Sequence, residues 1–301
     1  MEEQIITFEG VSKRYGEVLA VDNLSFAVRK GEILGFLGPN GSGKTTTVRL
    51  MNGVIAPDSG KITVAGLDTV AQGDQIRRRA GVLTESAMLY ENMTVEDNLK
   101  FYAELYGVQA GKVNARIDEL LEQFRLTAKR KAKVGSLSTG LKKRAGIAKA
   151  LIHSPDLLFL DEPTSGLDPE AAREIIEYVR ELNGGDVTVF VCTHNLAEAE
   201  HFCTRFVFLD RGRILESGTL AELEERYVAE IELLLDLAPG TALPQGIAHE
   251  RVSATAAVVK LAGKAKIPAF LREVSAQTDV YGARIRNSNL EALYFEIRRG
   301  K

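Results

Sequence analysis

The sequence predicts an α/β protein with a mainly parallel sheet and a helical insertion, followed by a small α+β domain. Short apolar, β-branched runs alternate with longer helical patterns along most of the 301 residues, and this alternation favours a parallel sheet. The pattern changes near residue 228, and the phosphate-type motifs described below all precede that point. We therefore predict one domain over residues 1–227 and a second over residues 228–301.

Apolar runs in the first domain predict buried strands. The first is Glu32–Gly38 (EILGFLG), and the segment after it, GKTTTVRLMNG, is predicted as a helix that ends at Gly53. PDLLFLDEP and VTVFVCTH each contain a further buried strand. Before these two strands, the acidic and amphipathic segment Val95–Phe124 predicts the helical insertion.

The second domain is predicted from shorter segments of mixed type. It begins with IELLLDL and HERVSATAAVVKLAG, continues with a helix-like PAFLREVSAQ and a strand-like DVYGARIRN, and closes with the helix NLEALYFEIRR. This mixture predicts an α+β unit that is joined to the first domain by a short linker.

Composition and charge narrow the class of protein. Hydrophobic residues make up 45% and charged residues 26% of the chain, values typical of a soluble globular protein. The net charge of -3 provides no strong field toward nucleic acid or an anionic membrane. The two cysteines, Cys192 and Cys203, are interpreted as buried hydrophobes in a reducing compartment. No apolar run reaches the ~18 residues of a membrane span, so work at a membrane would require a partner.

The segment GPNGSGKT, Gly38–Thr45, fits the pattern G-x-x-x-x-G-K-[ST] between a predicted strand and a predicted helix. In such a phosphate loop, backbone N–H groups converge on phosphate oxygens, and the helix N-terminus adds positive potential. Lys44 is placed for the β- and γ-phosphates and the Thr45 hydroxyl for Mg²⁺. An ordinary glycine-rich turn is the alternative, and the strand, the lysine and the threonine together argue against it. The predicted nucleotide contacts of this segment are Gly38, Asn40, Gly41, Ser42, Gly43, Lys44, Thr45 and Thr46.

Two acids end the second predicted strand. Asp161 would be poorly solvated there without a cation, so we predict that it holds Mg²⁺. Glu162 points elsewhere because side chains alternate along a strand, and we predict that it activates or orients an attacking water.

The segment LSTGLKKRAGIAKAL predicts a helix that Ser138 caps. Its first turns contain Lys142, Lys143 and Arg144, where the helix dipole disfavours cations. This arrangement predicts that a negative group lies in front of Ser138.

Taken in order, GPNGSGKT, LSTGLKKR, LLFLDEP, SGLDP and VCTH resemble the motifs of the nucleotide-binding subunit of an ATP-binding cassette (ABC) transporter. The resemblance covers roughly Ile5 to Leu223. It implies a P-loop NTPase fold, ATP and Mg²⁺ as ligands, and a dimer that sandwiches two nucleotides. In that family LSTGL (Leu137–Leu141), the signature segment, contacts ATP bound to the other subunit, so Ser138 and Gly140 would face that phosphate.

The resemblance also implies roles for three further residues. Tyr15 would stack on adenine, Asp168 would link the two sites across the dimer, and His194 would contact the γ-phosphate. Together with Lys44 and Glu162, His194 completes the predicted catalytic set.

The sequence departs from the commonest family pattern at two places. Thr139 and Leu141 replace the second glycine and the glutamine of L-S-G-G-Q, and Glu85 occupies the usual Q-loop glutamine position, where it is predicted to lie near Mg²⁺. The pattern resembles the subgroup that pairs with separately encoded ABC-2 membrane subunits, which includes multidrug, antibiotic-resistance and sodium exporters. The ending SNLEALYFEIRRG resembles exporter ATPases with a small C-terminal domain.

These observations predict the ATPase of an exporter, held at the cytoplasmic face of the cell membrane by separate permease chains. It would act as a homodimer or heterodimer of ATPase subunits, with no nucleic acid partner. The alternatives are an importer ATPase and a soluble ABC protein that acts on ribosomes or DNA. The signature segment and the tail lean against the importer, and one cassette with near-neutral charge argues against the soluble class.

Overall fold

The computed structural model describes residues 3–84, 89–182, 187–244 and 246–300. The chain forms two compact units, Met1–Ser217 and Gly218–Lys301. The sequence placed the change later, after residue 227. The difference arises at helix α8 (Leu220–Tyr227), which packs on the last helix of the chain.

The first unit contains two sheets. Its strands, in chain order, are β1 (Gln4–Tyr15), β2 (Val18–Arg29), β3 (Ile33–Leu37), β4 (Ser59–Val64), β5 (Leu67–Asp68), β6 (Ala80–Leu83), β7 (Leu157–Asp161), β8 (Thr188–Thr193), β9 (Arg205–Asp210) and β10 (Arg213–Gly218). Its helices are α1 (Lys44–Met51), α2 (Gly73–Arg79), α3 (Val95–Leu105), α4 (Ala110–Gln123), α5 (Thr139–Leu151), α6 (Pro169–Leu182) and α7 (Leu196–Phe202).

The larger sheet has the order β10-β9-β3-β8-β7-β6, and β3, β6, β7, β8 and β9 pair in parallel. All five residues of β3 and all six of β8 are buried, as the uninterrupted apolar runs predicted. Leu37 lies opposite Thr193, and Asp161 lies opposite Cys192. The carboxyl ends of three neighbouring strands therefore meet at one edge, where α1 begins.

The smaller sheet, ordered β2-β1-β4-β5, is antiparallel, and the sequence analysis did not predict it. Its strands alternate buried and exposed positions, and β1 pairs with residues far along the chain, as in Ile6 opposite Val64. Its apolar face joins the core of the larger sheet, where Phe26 packs against Phe36 with ring centroids 5.5 Å apart. Both cysteines are buried, as predicted.

The predicted helical insertion is present as two helices, α3 and α4, instead of one continuous segment. The chain turns between them at Gly107, whose φ of +73° suits glycine. Thr94 caps α3 by accepting a hydrogen bond from the Asp97 amide.

The second unit is an α+β fold with a core of its own. Its strands are β11 (Ile231–Leu237), β12 (His249–Ser253), β13 (Ala256–Leu261) and β14 (Val280–Ile285), in the antiparallel order β12-β13-β11-β14. Its helices are α8, α9 (Ile267–Ser275) and α10 (Leu290–Arg299). Leu233, Leu235 and Val274 are at most 1% exposed at its centre. In the described ranges of both units, no helix combines the length and hydropathy that crossing a membrane requires.

Candidate nucleotide site

The phosphate loop, Gly38–Thr45, joins the buried end of β3 to α1. Gly43 has a φ of +107°, and a Cβ there would lie 2.4 Å from the carbonyl oxygen of Ala20. A Cβ on Gly38 would lie 2.2 Å from the carbonyl oxygen of Leu209. Close backbone approach therefore requires glycine at both positions, and it bends the loop around a concave space.

The side chains of the loop are poised around that space. Lys44 is 7% exposed, and its Nζ donates to the carbonyl oxygens of Gly38, at 2.7 Å, and Pro39, at 3.2 Å. The buried hydroxyl of Ser42 has no hydrogen-bond partner among the described residues. Such an atom is rare in a folded protein, but Ser42 does not line the cavity described next, so the fit to a phosphate depends on Lys44.

A cavity of about 540 Å³ opens over the loop. The predicted residues that line it are Asn40, Gly41, Gly43, Lys44, Thr45, Thr46, Asp161 and Glu162. The structure thus brings the loop together with the end of β7, because parallel strands finish at one edge of the sheet. Gly38 and Ser42 do not line the cavity.

The sequence analysis missed one wall of this cavity. Val18, Leu19 and Ala20 from β2, and Arg211 from the turn between β9 and β10, also line it. Arg211 is exposed and has a φ of +48°. In the sequence, the dipeptide Arg211–Gly212 between two strand-like runs indicates a turn. Its place beside the phosphate loop depends on a contact with β2, which is distant along the chain: the Asp22 amide donates to the Gly212 carbonyl.

Thr45 and Asp161 line the same cavity, and they are the two described residues that were predicted to hold Mg²⁺. A hydroxyl and a carboxylate are oxygen ligands that suit this ion, which commonly takes only one or two ligands from the protein. Among the described residues, no group of three or more His, Cys, Asp or Glu side chains is placed to hold a metal. The third predicted ligand, Glu85, lies outside the described residues.

Glu162 and His194, which were both predicted as catalytic residues, lie in contact. The Glu162 Oε1 lies 2.7 Å from His194 Nδ1 and accepts from the His194 amide at 3.1 Å. Its Oε2 accepts from Thr193 Oγ1 at 2.8 Å. The Glu162 amide donates to the Cys192 carbonyl at 2.8 Å, which extends the pairing of β7 with β8. The carboxylate is therefore held at the end of the strand, in an orientation fixed by its neighbours on β8.

Tyr15, predicted to stack on adenine, ends β1 and lies opposite Val18 across a hairpin. Its side chain is 44% exposed, and its ring centroid lies 5.9 Å from Lys13 Nζ. Val18 lines the cavity whereas Tyr15 does not. Stacking on adenine therefore stays a prediction for Tyr15.

Ser138, Gly140 and Asp168 line a second cavity of about 430 Å³. The Ser138 hydroxyl accepts from the Leu141 amide at 3.4 Å and caps α5. Asp168 Oδ1 accepts from the amides of Glu170, at 3.1 Å, and Ala171, at 2.9 Å, at the start of α6. None of the described residues that line this cavity lines the cavity over the phosphate loop. Three residues predicted to act on a nucleotide thus lie together, but apart from the loop of their own chain.

The three cations of α5 are engaged within the chain. Lys142 Nζ lies 2.8 Å from Glu91 Oε1, Lys143 Nζ donates to the Glu162 carbonyl at 3.0 Å, and Arg144 pairs with the Glu174 carboxylate. The cations therefore do not by themselves call for an anion from outside the chain, and the negative group in front of Ser138 stays a prediction. Their partners come from distant segments, which the sequence neighbourhood of α5 does not reveal.

Residues 21–165 match the family model described as "ABC transporter". The chain is 41% identical over 224 residues to the daunorubicin resistance ATP-binding protein DrrA3 of Streptomyces coeruleorubidus, which covers 74% of this chain and 71% of that protein. It is 38% identical over 218 residues to the linearmycin resistance ATP-binding protein LnrL of Bacillus subtilis, covering 72% and 70%.

Solved structures give the same family. The ATP-binding subunit of an ABC transporter superposes with a TM-score of 0.68 at 30% identity, over 74% of this chain and 93% of that one. A bacterial ABC transporter cassette solved as a dimer superposes with a TM-score of 0.65 at 26% identity, over 71% and 98%. The alignment with the daunorubicin resistance protein spans 71% of that protein at 41% identity. The chain therefore belongs to the ABC transporter family, in which it is an ATP-binding subunit that hydrolyses ATP.

Proposed function

We propose that the chain powers an exporter. Two ATPase subunits sandwich two Mg²⁺-ATP molecules, and their closing and parting moves separate membrane-spanning chains at the cytoplasmic face of the cell membrane. The observation that carries this proposal is the separation of two half-sites within one chain. The phosphate loop with Glu162 lies at one cavity, and Ser138, Gly140 and Asp168 lie at another.

A second copy in head-to-tail orientation supplies what each cavity lacks. The loop of one subunit then faces the signature segment of the other, and two equivalent composite sites form. The N-terminus of α5, which is capped by Ser138 and includes the amide of Gly140, would then face the γ-phosphate. The dimeric cassette among the structural relatives supports this arrangement.

The residues around the loop divide the chemistry. Lys44 stabilises the charge that develops on the phosphates, and Glu162 orients a water for in-line attack. His194 holds that carboxylate through Nδ1, and we assign its other ring nitrogen to the γ-phosphate. Thr45 and Asp161 would hold Mg²⁺, which neutralises negative charge on the β- and γ-phosphates when it is bound.

Export is favoured by the names of several relatives. Beside the daunorubicin and linearmycin resistance proteins, the Nod factor export ATP-binding protein I of Ralstonia nicotianae is 41% identical over 219 residues, covering 73% of this chain and 68% of that protein. The transported compound would be selected mainly by the membrane-spanning chains.

The test is ATP-dependent dimerisation of the Glu162→Gln chain, measured by size-exclusion chromatography with light scattering. The variant should be monomeric without nucleotide and dimeric with Mg²⁺-ATP, because it binds ATP but cleaves it too slowly for the dimer to part. Adding Ser138→Arg should abolish the dimer while ATP binding remains, since the loop is intact. A Glu162→Gln chain that binds ATP but stays monomeric would contradict the sandwich.

A further inference from the structure

Lys143 is a buried lysine whose side chain contacts the backbone of Glu162. It lies on α5, and only 4% of the residue is exposed. Among its contacts, Nζ donates to the carbonyl oxygen of Glu162 at 3.0 Å. Lysine is seldom buried to this extent without a specific polar partner, so this contact calls for a role.

The contact reaches Glu162 where its backbone is least relaxed. Glu162 has a φ of +48°, in the left-handed region that residues with a side chain seldom adopt. Its amide is held by the Cys192 carbonyl, and its carbonyl accepts from Lys143 Nζ and from the Ser165 amide at 3.2 Å. Since the peptide groups on both sides are fixed, the direction in which the carboxylate leaves the backbone is fixed as well.

We propose that Lys143 is a positioning residue for hydrolysis, which ties the water-orienting Glu162 to the helix that carries the signature segment. The inference rests on the proposed function, because it needs Glu162 to orient the attacking water. The same helix would then carry both the segment that faces the second subunit's nucleotide and the lysine that sets the Glu162 of this subunit's own site.

Lys142 provides a matched control on the same helix. It is the adjacent residue and of the same type, but its side chain is 30% exposed and pairs with Glu91, whose side chain is 67% exposed. An exposed ion pair of this kind contributes little. The two lysines are neighbours with the same side chain, and they differ in burial and in the group that each contacts.

The experiment compares Lys143→Met and Lys142→Met as full chains, by Mg²⁺-ATPase kinetics and thermal unfolding. Lys143→Met should lower kcat at least ~10-fold and leave KM for ATP within ~2-fold. Its Tm should not fall by more than about 2 °C, because methionine fills the same space and the Glu162 carbonyl keeps the Ser165 amide. Lys142→Met should match the wild type in all three measurements, and Lys143→Arg, which keeps a donor, should regain part of kcat. A purely structural role of Lys143 predicts the reverse, a lower Tm with kcat unchanged. A kcat of Lys143→Met within twofold of the wild type would overturn the proposal.

Mixed dimers test the link within one chain. With Ser138→Arg in one subunit and Lys44→Ala in the other, one intact composite site remains, formed by the loop of the first subunit and the signature segment of the second. Lys143→Met should abolish most of the remaining turnover when it is added to the first subunit, whose Glu162 serves that site, and should spare it when added to the second. The opposite result would overturn the proposal.

The same experiments distinguish a failure of the proposed function from a failure of the Lys143 proposal. A wild-type chain without turnover would contradict the ATPase, and the inference would fall with it. If the parent mixture regains no turnover while the wild type is active, the cross-chain site fails, and the comparison of the two methionine variants still decides whether Lys143 positions Glu162.

Discussion

At the scale of single residues, the hydrolytic end of the cavity is organised around one carboxylate. Glu162 accepts hydrogen bonds on both oxygens from Thr193, the last residue of β8, and from His194, which follows it. Such a carboxylate loses little freedom when a water binds to it, and this preorganisation is what a water-orienting group needs.

Glu162→Gln should keep ATP affinity within a few-fold and slow single-turnover hydrolysis at least ~100-fold, because the amide is a much weaker base. Binding of a fluorescent ATP analogue and quench-flow measurement of phosphate release separate the two effects. Hydrolysis at the wild-type rate would show that another group orients the water.

Arg211 lines the cavity over the phosphate loop and was not predicted as a site residue. Arg211→Ala should raise KM for ATP by roughly 3- to 10-fold with kcat within twofold, because an exposed cation adds uniform binding to the phosphates. Arg213→Ala is the control, since Arg213 Nε pairs with Asp22 Oδ2 at 2.5 Å. The difference between the variants should shrink at high salt, and equal KM values at low salt would remove Arg211 from the site.

At the scale of elements, one buried acid links the helical insertion to the segment that follows it. Glu96 on α3 is 3% exposed and contacts Arg130 Nε at 3.1 Å, Lys100 Nζ at 2.7 Å and Lys131. These cations hold the pKa of the Glu96 carboxyl well below its ordinary value of 4.5, with the hydrogen bond from Arg130 as the largest cause. Because Arg130 and Lys131 precede the signature segment, the cluster joins the insertion to the segment that leads into α5.

Glu96→Gln should lower the free energy of unfolding by about 1–2 kcal/mol at pH 7, a value discounted because the cations are partly in solvent. Since the folded pKa is depressed, this stabilisation is complete above the unfolded value of 4.5 and is lost as the pH falls below it. Urea unfolding at pH 7 and pH 4 checks the narrowing gap between variant and wild type.

Asp118→Asn is the control for Glu96→Gln. The Asp118 side chain is 58% exposed and contacts Arg130 Nη1 at 2.5 Å, so its loss should change stability by less than ~0.5 kcal/mol. A gap between Glu96→Gln and wild type that stays constant from pH 7 to pH 4 would show that ionisation of Glu96 does not stabilise the fold.

The elements that sequence could predict are those whose signals are local. β3 and β8 are uninterrupted apolar runs, and the phosphate loop is a contiguous motif between a strand and a helix. The antiparallel sheet was missed because its alternating strands find partners such as Ile6 and Val64 only through the fold. Likewise, the partners of the α5 cations lie 51, 19 and 30 residues away, so the sequence around α5 could not reveal them.

At the scale of the whole molecule, two features matter: two half-sites in the first unit and a second unit with its own core. The second unit contains none of the predicted nucleotide residues, and its strands and helices bury Leu233, Leu235 and Val274 together. We propose that it regulates or stabilises the dimer, while the first unit binds and hydrolyses ATP.

Mixing two damaged chains should restore function. Lys44→Ala and Ser138→Arg homodimers have two broken sites each, whereas a mixed dimer has one intact loop facing one intact signature segment. ATP-dependent dimerisation in a Glu162→Gln background should rise on mixing, with the unmixed chains as controls. No gain at any mixing ratio would mean that each site is built within one chain.

Truncation tests the independence of the units. A chain that ends at Gly218 retains all of β10 and should stay monomeric and bind ATP with the affinity of the full chain. A chain that ends at Tyr227 retains α8, whose fully buried Leu223 loses the partners it has in the second unit, and it should aggregate more readily. Aggregation of the shorter chain would show that the first unit needs the second to fold.

The burial of both cysteines has a practical consequence for labelling. Burial raises the pKa of the Cys192 and Cys203 thiols, so that little of the reactive thiolate exists at neutral pH, and it restricts the access of alkylating reagents. We therefore expect the folded chain to react slowly with maleimides. A cysteine introduced at an exposed position, such as Tyr281→Cys on a side chain 75% exposed, would carry a fluorophore alone, without prior removal of the native thiols. Distances between two labelled subunits can then be followed through the ATPase cycle in the unaltered core.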